Sequence, residues 1–324
     1  MKMHKRRVRA CCLWLGICLL LFCGCGKQEQ KLRLGVSMPT ATHGWAGGVV
    51  WCAEQAKERL QAEHPDLEIF LAASPDAARQ AEQIENLLVR DIDALVVMAQ
   101  EPGPITKVCQ RAKEQGVYLV VVSNPLEERC EDVFVNGDNR SFGWAAGEAI
   151  GEILGGEGTV LVLEGIPCPI NTERVSGFNQ VLAEKFPRIR ILDSQPAWWN
   201  AEKGLSLMEN FLLKYPQVDA VWAGDDDVLT GALKAYQESG RKDVRAFVGG
   251  GGSKNVVKRI IEADPLVKAT VTYPPEMLAV GMDAAVERLK NIQQPRDDKR
   301  EIIIKSQIIT TSNGAEFYFP DSVY

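Results

Sequence analysis

Residues 76–102, DAARQAEQIENLLVRDIDALVVMAQEP, hold one complete unit of the fold. Ile84, Leu87 and Leu88 recur at three- and four-residue spacing, which lines up one face of a helix. Asp91 and Asp93 mark a turn, and residues 94–99 then run apolar without alternation. A strand buried on both faces reads this way, so the unit predicts a helix feeding a parallel sheet covered on both sides.

The same alternation extends along the chain. Apolar runs predict strands at 32–37, 67–72, 94–99, 118–123, 133–135, 159–164, 189–195, 220–223, 246–248 and 269–272. Amphipathic patterns predict helices at 48–63, 76–90, 104–114, 141–154, 172–185, 201–215, 227–237, 254–264 and 276–291, with Leu205, Met208 and Leu212 repeating the helical spacing. So many units exceed one compact sheet, and the expected architecture is α/β, two doubly wound Rossmann-like lobes. Gly155-Gly156-Glu157-Gly158 leads into the first strand of the second lobe. No long Pro/Ser linker separates the halves, so the crossing near 135–138 reads as a short hinge.

The first 24 residues are of another kind. Lys2, Lys5, Arg6, Arg7 and Arg9 precede an apolar run at 10–23 that is short for a membrane span, the order of an export signal. Phe22-Cys23-Gly24-Cys25 resembles a bacterial lipobox, with Phe22 where Leu is usual. That resemblance implies a signal at 1–24, lipidation at Cys25 and a polar tether at 25–31, and Cys23 is the weaker candidate. An uncleaved membrane anchor is the alternative. Five of the 37 basic residues lie in the signal, leaving 32 against 43 acidic, a net charge of −11. An acidic body argues against nucleic acid, whose phosphates need clustered Lys and Arg.

The body retains Cys52, Cys109, Cys130 and Cys168, without any CxxC. Export permits disulfides, four cysteines allow three full pairings, and buried free thiols are the other reading. Three histidines in the whole chain speak against a metal centre.

In parallel α/β sheets ligands bind beyond the carboxyl ends of the strands. The loops following the strands, 38–45, 124–127, 166–171, 197–200, 224–226, 249–253 and 273–275, hold Trp45, Trp198, Trp199 and Tyr273, together with His43, Asn124, Asn171, Asn200 and Asp225. Flat aromatic faces beside hydrogen-bonding groups suit the C–H faces and hydroxyls of a sugar or polyol. Trp198 either joins that wall or points away and packs, whereas Trp51 and Trp222 read as core. In the run 225–227, three carboxylates, Asp225 is expected to face the cleft while Asp226 or Asp227 caps the next helix. The glycine run 249–252 is neither GxGxxG nor a P-loop, and it reads as room for a ligand or an eased turn, with a ligand carboxylate as the alternative. No nucleophile elbow or HExxH is present, and Glu164 and Asp225 are not singled out as an acid/base pair. The chain is not expected to be an enzyme or to need a cofactor.

Six segments, in order, resemble the ribose/galactose-type periplasmic sugar-binding proteins that serve ABC transporters: 32–40 (LRLGVSMPT), 76–102, 134–150 (FVNGDNRSFGWAAGEAI), 173–182 (ERVSGFNQVL), 194–212 (SQPAWWNAEKGLSLMENFL) and 221–241 (VWAGDDDVLTGALKAYQESGR). The resemblance implies the type I periplasmic binding protein fold, two lobes joined by a hinge. Residues 32–136 plus about 274–304 would form the first lobe, and 137–273 plus about 305–324 the second. It places Ser37, His43, Trp45, Ser123, Asn124, Thr172, Arg174, Trp199, Asp225 and Tyr273 at ligand-contact positions. Ser123 and Asn124 stand where ribose-type binders carry an Asp-Arg pair, Thr172 where another arginine is frequent, Gly251 where an aspartate is usual and Tyr273 where Gln is common. Loss of those charged groups makes ribose itself improbable and favours a less polar sugar, a polyol, or a ligand with a cationic end facing Asp225. The resemblance also implies a monomeric, lipid-anchored extracytoplasmic binder partnered by an ABC permease. A lipoprotein that presents its closed form to a histidine kinase or chemoreceptor is the alternative. A transcription repressor would need a basic helix-turn-helix where the export signal stands.

Overall fold

The computed structural model describes residues 31–41, 44–291 and 300–324. His43 and Cys25, and with it the signal and all of the tether but Lys31, lie outside those residues. Among the described residues no helix is long and apolar enough to cross a membrane.

The chain opens with β1 (Leu32–Pro39), α1 (Gly44–Glu63), β2 (Leu67–Ser74), α2 (Ala77–Leu88), β3 (Ala94–Val97), α3 (Pro102–Glu114), β4 (Tyr118–Val122) and β5 (Val133–Gly137). It continues with α4 (Asn139–Leu154), β6 (Glu157–Glu164), α5 (Pro169–Lys185), β7 (Arg188–Pro196), α6 (Ala201–Lys214), β8 (Ala220–Ala223), α7 (Asp226–Glu238), β9 (Ala246–Gly251), α8 (Lys254–Ile261) and β10 (Val267–Thr272). The described chain finishes with α9 (Met277–Lys290), β11 (Arg300–Ile304), β12 (Ile308–Ile309) and a 3-10 turn at Gly314–Phe317.

Two six-stranded sheets result, ordered β11-β5-β4-β3-β1-β2 and β12-β10-β9-β8-β6-β7. The first is parallel throughout; in the second only β12 runs antiparallel, against β10. This is the doubly wound α/β architecture read from the alternation. The unalternating run Ala94–Val97 is buried at every residue, as a central strand covered on both faces must be. β11 and β12 were not among the strands expected from sequence. Each is a short edge strand whose pairing, with β5 and with β10, comes from distant chain.

The backbone passes between the sheets at 137–139, 272–277 and 304–308, and the crossings are tied side by side. Asp138 N–H donates to the Ile304 carbonyl at 2.9 Å, and Thr272 N–H to the Gln307 carbonyl at 2.8 Å. Gln307 N–H returns to Thr272 Oγ1 at 2.8 Å. Three strands bonded at one place form a compact hinge that a twist of a few dihedrals can bend.

Asp76, Asp138, Asn200 and Asp225 cap α2, α4, α6 and α7, and Pro102 and Pro169 stand in the first turns of α3 and α5. Trp222 is fully buried on β8 and stacks on Phe178 of α5 at 4.2 Å, a core role as its strand position implied. Helices α4 and α5 touch backbone to backbone: a Cβ at Gly143 would stand 1.7 Å from the Arg174 carbonyl oxygen. That contact fixes how far Arg174 reaches toward the space between the sheets.

Candidate ligand site

A cavity of about 190 Å³ lies between the carboxyl ends of the two sheets. Pro39, Trp45, Ala46, Val49, Met98, Gln100, Ser123 and Asn124 line it from the first sheet's side. Ile166, Ile170, Arg174, Trp199, Asp225, Gly250, Gly251 and Tyr273 line it from the other. At about 30 Å³ per water, the space equals roughly six waters, the scale of a small metabolite.

On the first side the polar groups are held by an interior amide. Gln80 is fully buried; its Nε2 donates to Ser37 Oγ at 3.1 Å and to the Met98 carbonyl at 2.9 Å. Its Oε1 accepts the Gln100 N–H at 2.9 Å, and Gln100 Nε2 donates to the Pro75 carbonyl. Gln100 Oε1 is then buried with no hydrogen-bond partner among the described residues, in a side chain that lines the cavity. Ser37 therefore lies beneath the site, holding Gln80, and does not reach the cavity. Ser123 adopts φ 66°, a left-handed conformation that turns the chain under the cavity floor. Asn124 donates its amide to the Ala99 carbonyl at 2.9 Å.

On the second side two successive tryptophans have left-handed backbones, Trp198 at φ 60° and Trp199 at φ 52°. Such bulky residues each pay about 1–2 kcal/mol for that region, and such strain gathers at functional loops. The kink sends the two rings apart. Trp199 turns in against Gly165, whereas Trp198 is 47% exposed under the Lys203 ammonium at 4.3 Å. Trp198 thus points away from the cavity without packing into a core.

Arg174 is buried, its guanidinium 4.0 Å from the Phe142 ring centre, 4.3 Å from that of Tyr273 and 5.8 Å from that of Trp199. Nε donates to Asn139 Oδ1 at 3.2 Å and Nη1 to the Gly224 carbonyl at 3.1 Å. Burial pushes its pKa below the usual arginine value, opposed by the Tyr273 phenol and the Asp225 carboxylate. Trp45 meets Tyr273 at 5.5 Å between ring centres, completing an aromatic wall.

The three aspartates diverge. Asp225 lines the cavity and is itself the cap of α7, accepting the Asp227 N–H at 2.8 Å; the cap expected from Asp226 or Asp227 is thereby corrected. Burial, then the neighbouring Asp227 and Asp226, hold its carboxyl well above the usual range. Asp226 turns under the glycine run and accepts from Gly250 N–H at 2.9 Å, Ser253 N–H at 2.6 Å and Thr270 Oγ1 at 2.8 Å. Asp227 reaches across to the Gly44 N–H at 2.9 Å, joining α7 to α1.

Of the residues expected at the site, Trp45, Ser123, Asn124, Arg174, Trp199, Asp225 and Tyr273 converge on one cavity. Thr172 does not. It is exposed on the outer side of α5, beside a separate shallow groove that includes Glu164 and Cys168, and its hydroxyl donates to the Cys168 carbonyl. Asn171 binds the Gly165 N–H and Glu164, and Asn200 caps α6, both structural roles. Gln100 and Met98 were missed, although they end or follow β3 and the rule of strand carboxyl ends points to them. Cys52, Cys109 and Cys168 are free thiols; burial pushes Cys52 up to about 12 and Cys109 higher still.

The chain matches the family model described as periplasmic binding protein domain over residues 34–293. It belongs to that family. It is 32% identical over 211 residues to the ribose import binding protein of Bacillus subtilis, covering 65% of this chain and 67% of that one. It is 31% identical to the xylitol-binding protein of Mycolicibacterium smegmatis, over 54% of this chain and about half (51%) of that protein. In structure it resembles an ABC transporter solute binding protein of Bacillus halodurans with bound myo-inositol, at a TM-score of 0.78 and 21% identity, covering 92% of this chain and all (100%) of that one. The resemblance read from the six segments and the type I periplasmic binding protein fold both hold. Proteins of this family bind ligands outside the cytoplasm and do not transform them, so the chain is an extracytoplasmic binder and not an enzyme.

Proposed function

We propose that the protein captures one small neutral sugar or polyol between its lobes and delivers it to an ABC permease, and that Cys25 carries the lipid that keeps it beside that partner. The observation behind this reading is the cavity wall itself: Trp45, Trp199 and Tyr273 offer ring faces, and Gln100, Asn124, Arg174 and Asp225 offer hydrogen-bonding groups at the rim of those faces. Similarity to proteins named for ribose and xylitol supports the same ligand class. A cationic ligand end facing Asp225 is disfavoured, because the Arg174 guanidinium stands in the same cavity wall.

Binding works by closure. Gly44 to Asp227 joins the lobes directly, and Trp45 Nε1 donates to the Tyr273 carbonyl at 2.7 Å. A ligand that touches both walls adds its own contacts only when the lobes are together, and so shifts an open–closed equilibrium toward closed. A thermal-shift screen of pentoses, hexoses, inositols and alditols tests this. A ligand at 100 times its Kd adds about 2.7 kcal/mol. No shift with any of them would remove the sugar and polyol reading. Mass spectrometry of the amino-terminal peptide tests anchoring: diacylglyceryl on Cys25 is expected, and an unmodified thiol there would refute it.

A further inference from the structure

The segment after β12 returns across the second sheet's lobe and places one aromatic ring between the lobes. Lys254 Nζ donates to the carbonyls of Pro320, at 3.2 Å, and Ser322. Ser322 Oγ donates to the Tyr324 carbonyl at 2.7 Å and accepts the Tyr324 N–H at 3.1 Å, a tight turn that aims the tyrosine inward. Tyr324 is only 9% exposed.

Three glycines from two lobes make its room. A Cβ at Gly48 would stand 2.9 Å from Tyr324 Cβ, and one at Gly44 3.2 Å from Cδ2; both belong to α1. A Cβ at Gly251, which ends β9 with φ +116°, would stand 2.0 Å from the tyrosine hydroxyl. Gly251 lines the cavity, and so do Trp45, Ala46 and Val49 on the same α1 turn as Gly44 and Gly48. The phenol thus spans the gap from α1 to β9 at the cavity's edge. Its hydroxyl is buried and has no partner among the described residues, so hydrogen bonding does not explain why the ring is there. Burial beside Asp225, Asp226 and Asp227 keeps that phenol protonated, its pKa well above the usual value.

We propose that Tyr324 is a specificity-determining residue: its ring seals the cleft between α1 and β9 and limits the size of ligand that the closed lobes accept. This rests on the reading of the cavity as a sugar or polyol site. The small residues on both lobes leave room for the ring when the lobes are together, and a shorter residue at 324 would leave the space between α1 and β9 unfilled. A pocket wall of this kind discriminates one added methylene by about 10-fold or more.

The test compares the full wild-type chain with Tyr324→Phe and Tyr324→Ala. Acrylamide quenching of tryptophan fluorescence reads the seal without any ligand, and should rise in Tyr324→Ala and stay at the wild-type level in Tyr324→Phe. Titration calorimetry with the best sugar or polyol and its O-methyl ether reads selectivity. The preference for the smaller ligand should drop about 10-fold in Tyr324→Ala and persist in Tyr324→Phe. Quenching unchanged in a folded Tyr324→Ala, or an unchanged preference in a Tyr324→Ala that still binds, overturns the proposal. If the wild type binds no sugar or polyol while quenching rises in Tyr324→Ala alone, the ligand reading fails and the seal stands.

Discussion

The indole N–H of Trp45 donates to the carbonyl oxygen of Tyr273 at 2.7 Å, tying the first helix of one lobe to the strand end where the chain re-crosses from the other. One bond therefore sets the pitch of an aromatic wall and couples it to the hinge. Trp45→Phe keeps a ring and removes the donor, leaving a half-enclosed carbonyl unpaired. We expect about 1–3 kcal/mol of lost stability without ligand, read by thermal melts, together with weaker ligand binding read by calorimetry. Full affinity in Trp45→Phe would show that the bond does not hold the wall.

Gly143→Ala tests how Arg174 is placed. Its new methyl would lie 1.7 Å from the Arg174 carbonyl oxygen, so α4 and α5 must move apart. Overpacking of this kind costs about 1–3 kcal/mol, measurable as a lower urea midpoint at constant m. Ligand affinity should fall as well, since the guanidinium moves with its helix. An unshifted midpoint would mean that the helices yield freely there.

Asp226 should leave a pH signature. Burial raises its carboxyl from 3.8 to about 7, so between those values the folded state holds a proton that the unfolded state has lost. Its contribution to stability is then complete below about pH 4 and is lost as pH rises toward 7. Urea unfolding from pH 4 to 8 should show a steeper slope in the wild type than in Asp226→Asn, where Asp225, also held above the usual range, still titrates. The amide also turns a donor on one of the N–H groups Asp226 now accepts, which costs about 1–3 kcal/mol. Equal slopes in the two proteins would place the titration elsewhere.

Trp198→Ala is a control for its neighbour. The ring is 47% exposed and touches Lys203, so its removal should change stability by about 0.5 kcal/mol or less and leave ligand affinity as it was. A large loss of affinity would put Trp198 in the site.

The fold was legible because its signal is local. Ala94 to Val97 and the helix before it declare their partners by period alone, and each repeat strengthens the inference. β11 and β12 escaped because short edge strands carry little pattern and are made by pairing across the molecule. At the site, residues that follow strands, such as Trp199 and Asp225, were readable from strand position and loop chemistry. Ser37 and Thr172 were not. On a strand, one residue decides whether a hydroxyl meets Gln80 or the cleft, and on a helix a small rotation separates exposed Thr172 from buried Arg174. Tyr324 carried no local mark, since its position depends on how residues 310–324 dock on a lobe already folded.

Trp199 is where the central claim is most exposed to test. Calorimetric titration of the best sugar or polyol into the wild type and Trp199→Ala should give one site per chain in the first. In the second, affinity should fall at least about 100-fold, the scale of a truncated aromatic hot spot, while the unliganded protein melts as before. Wild-type affinity in Trp199→Ala would contradict the account, because the ligand would then bind somewhere other than the cavity between the lobes.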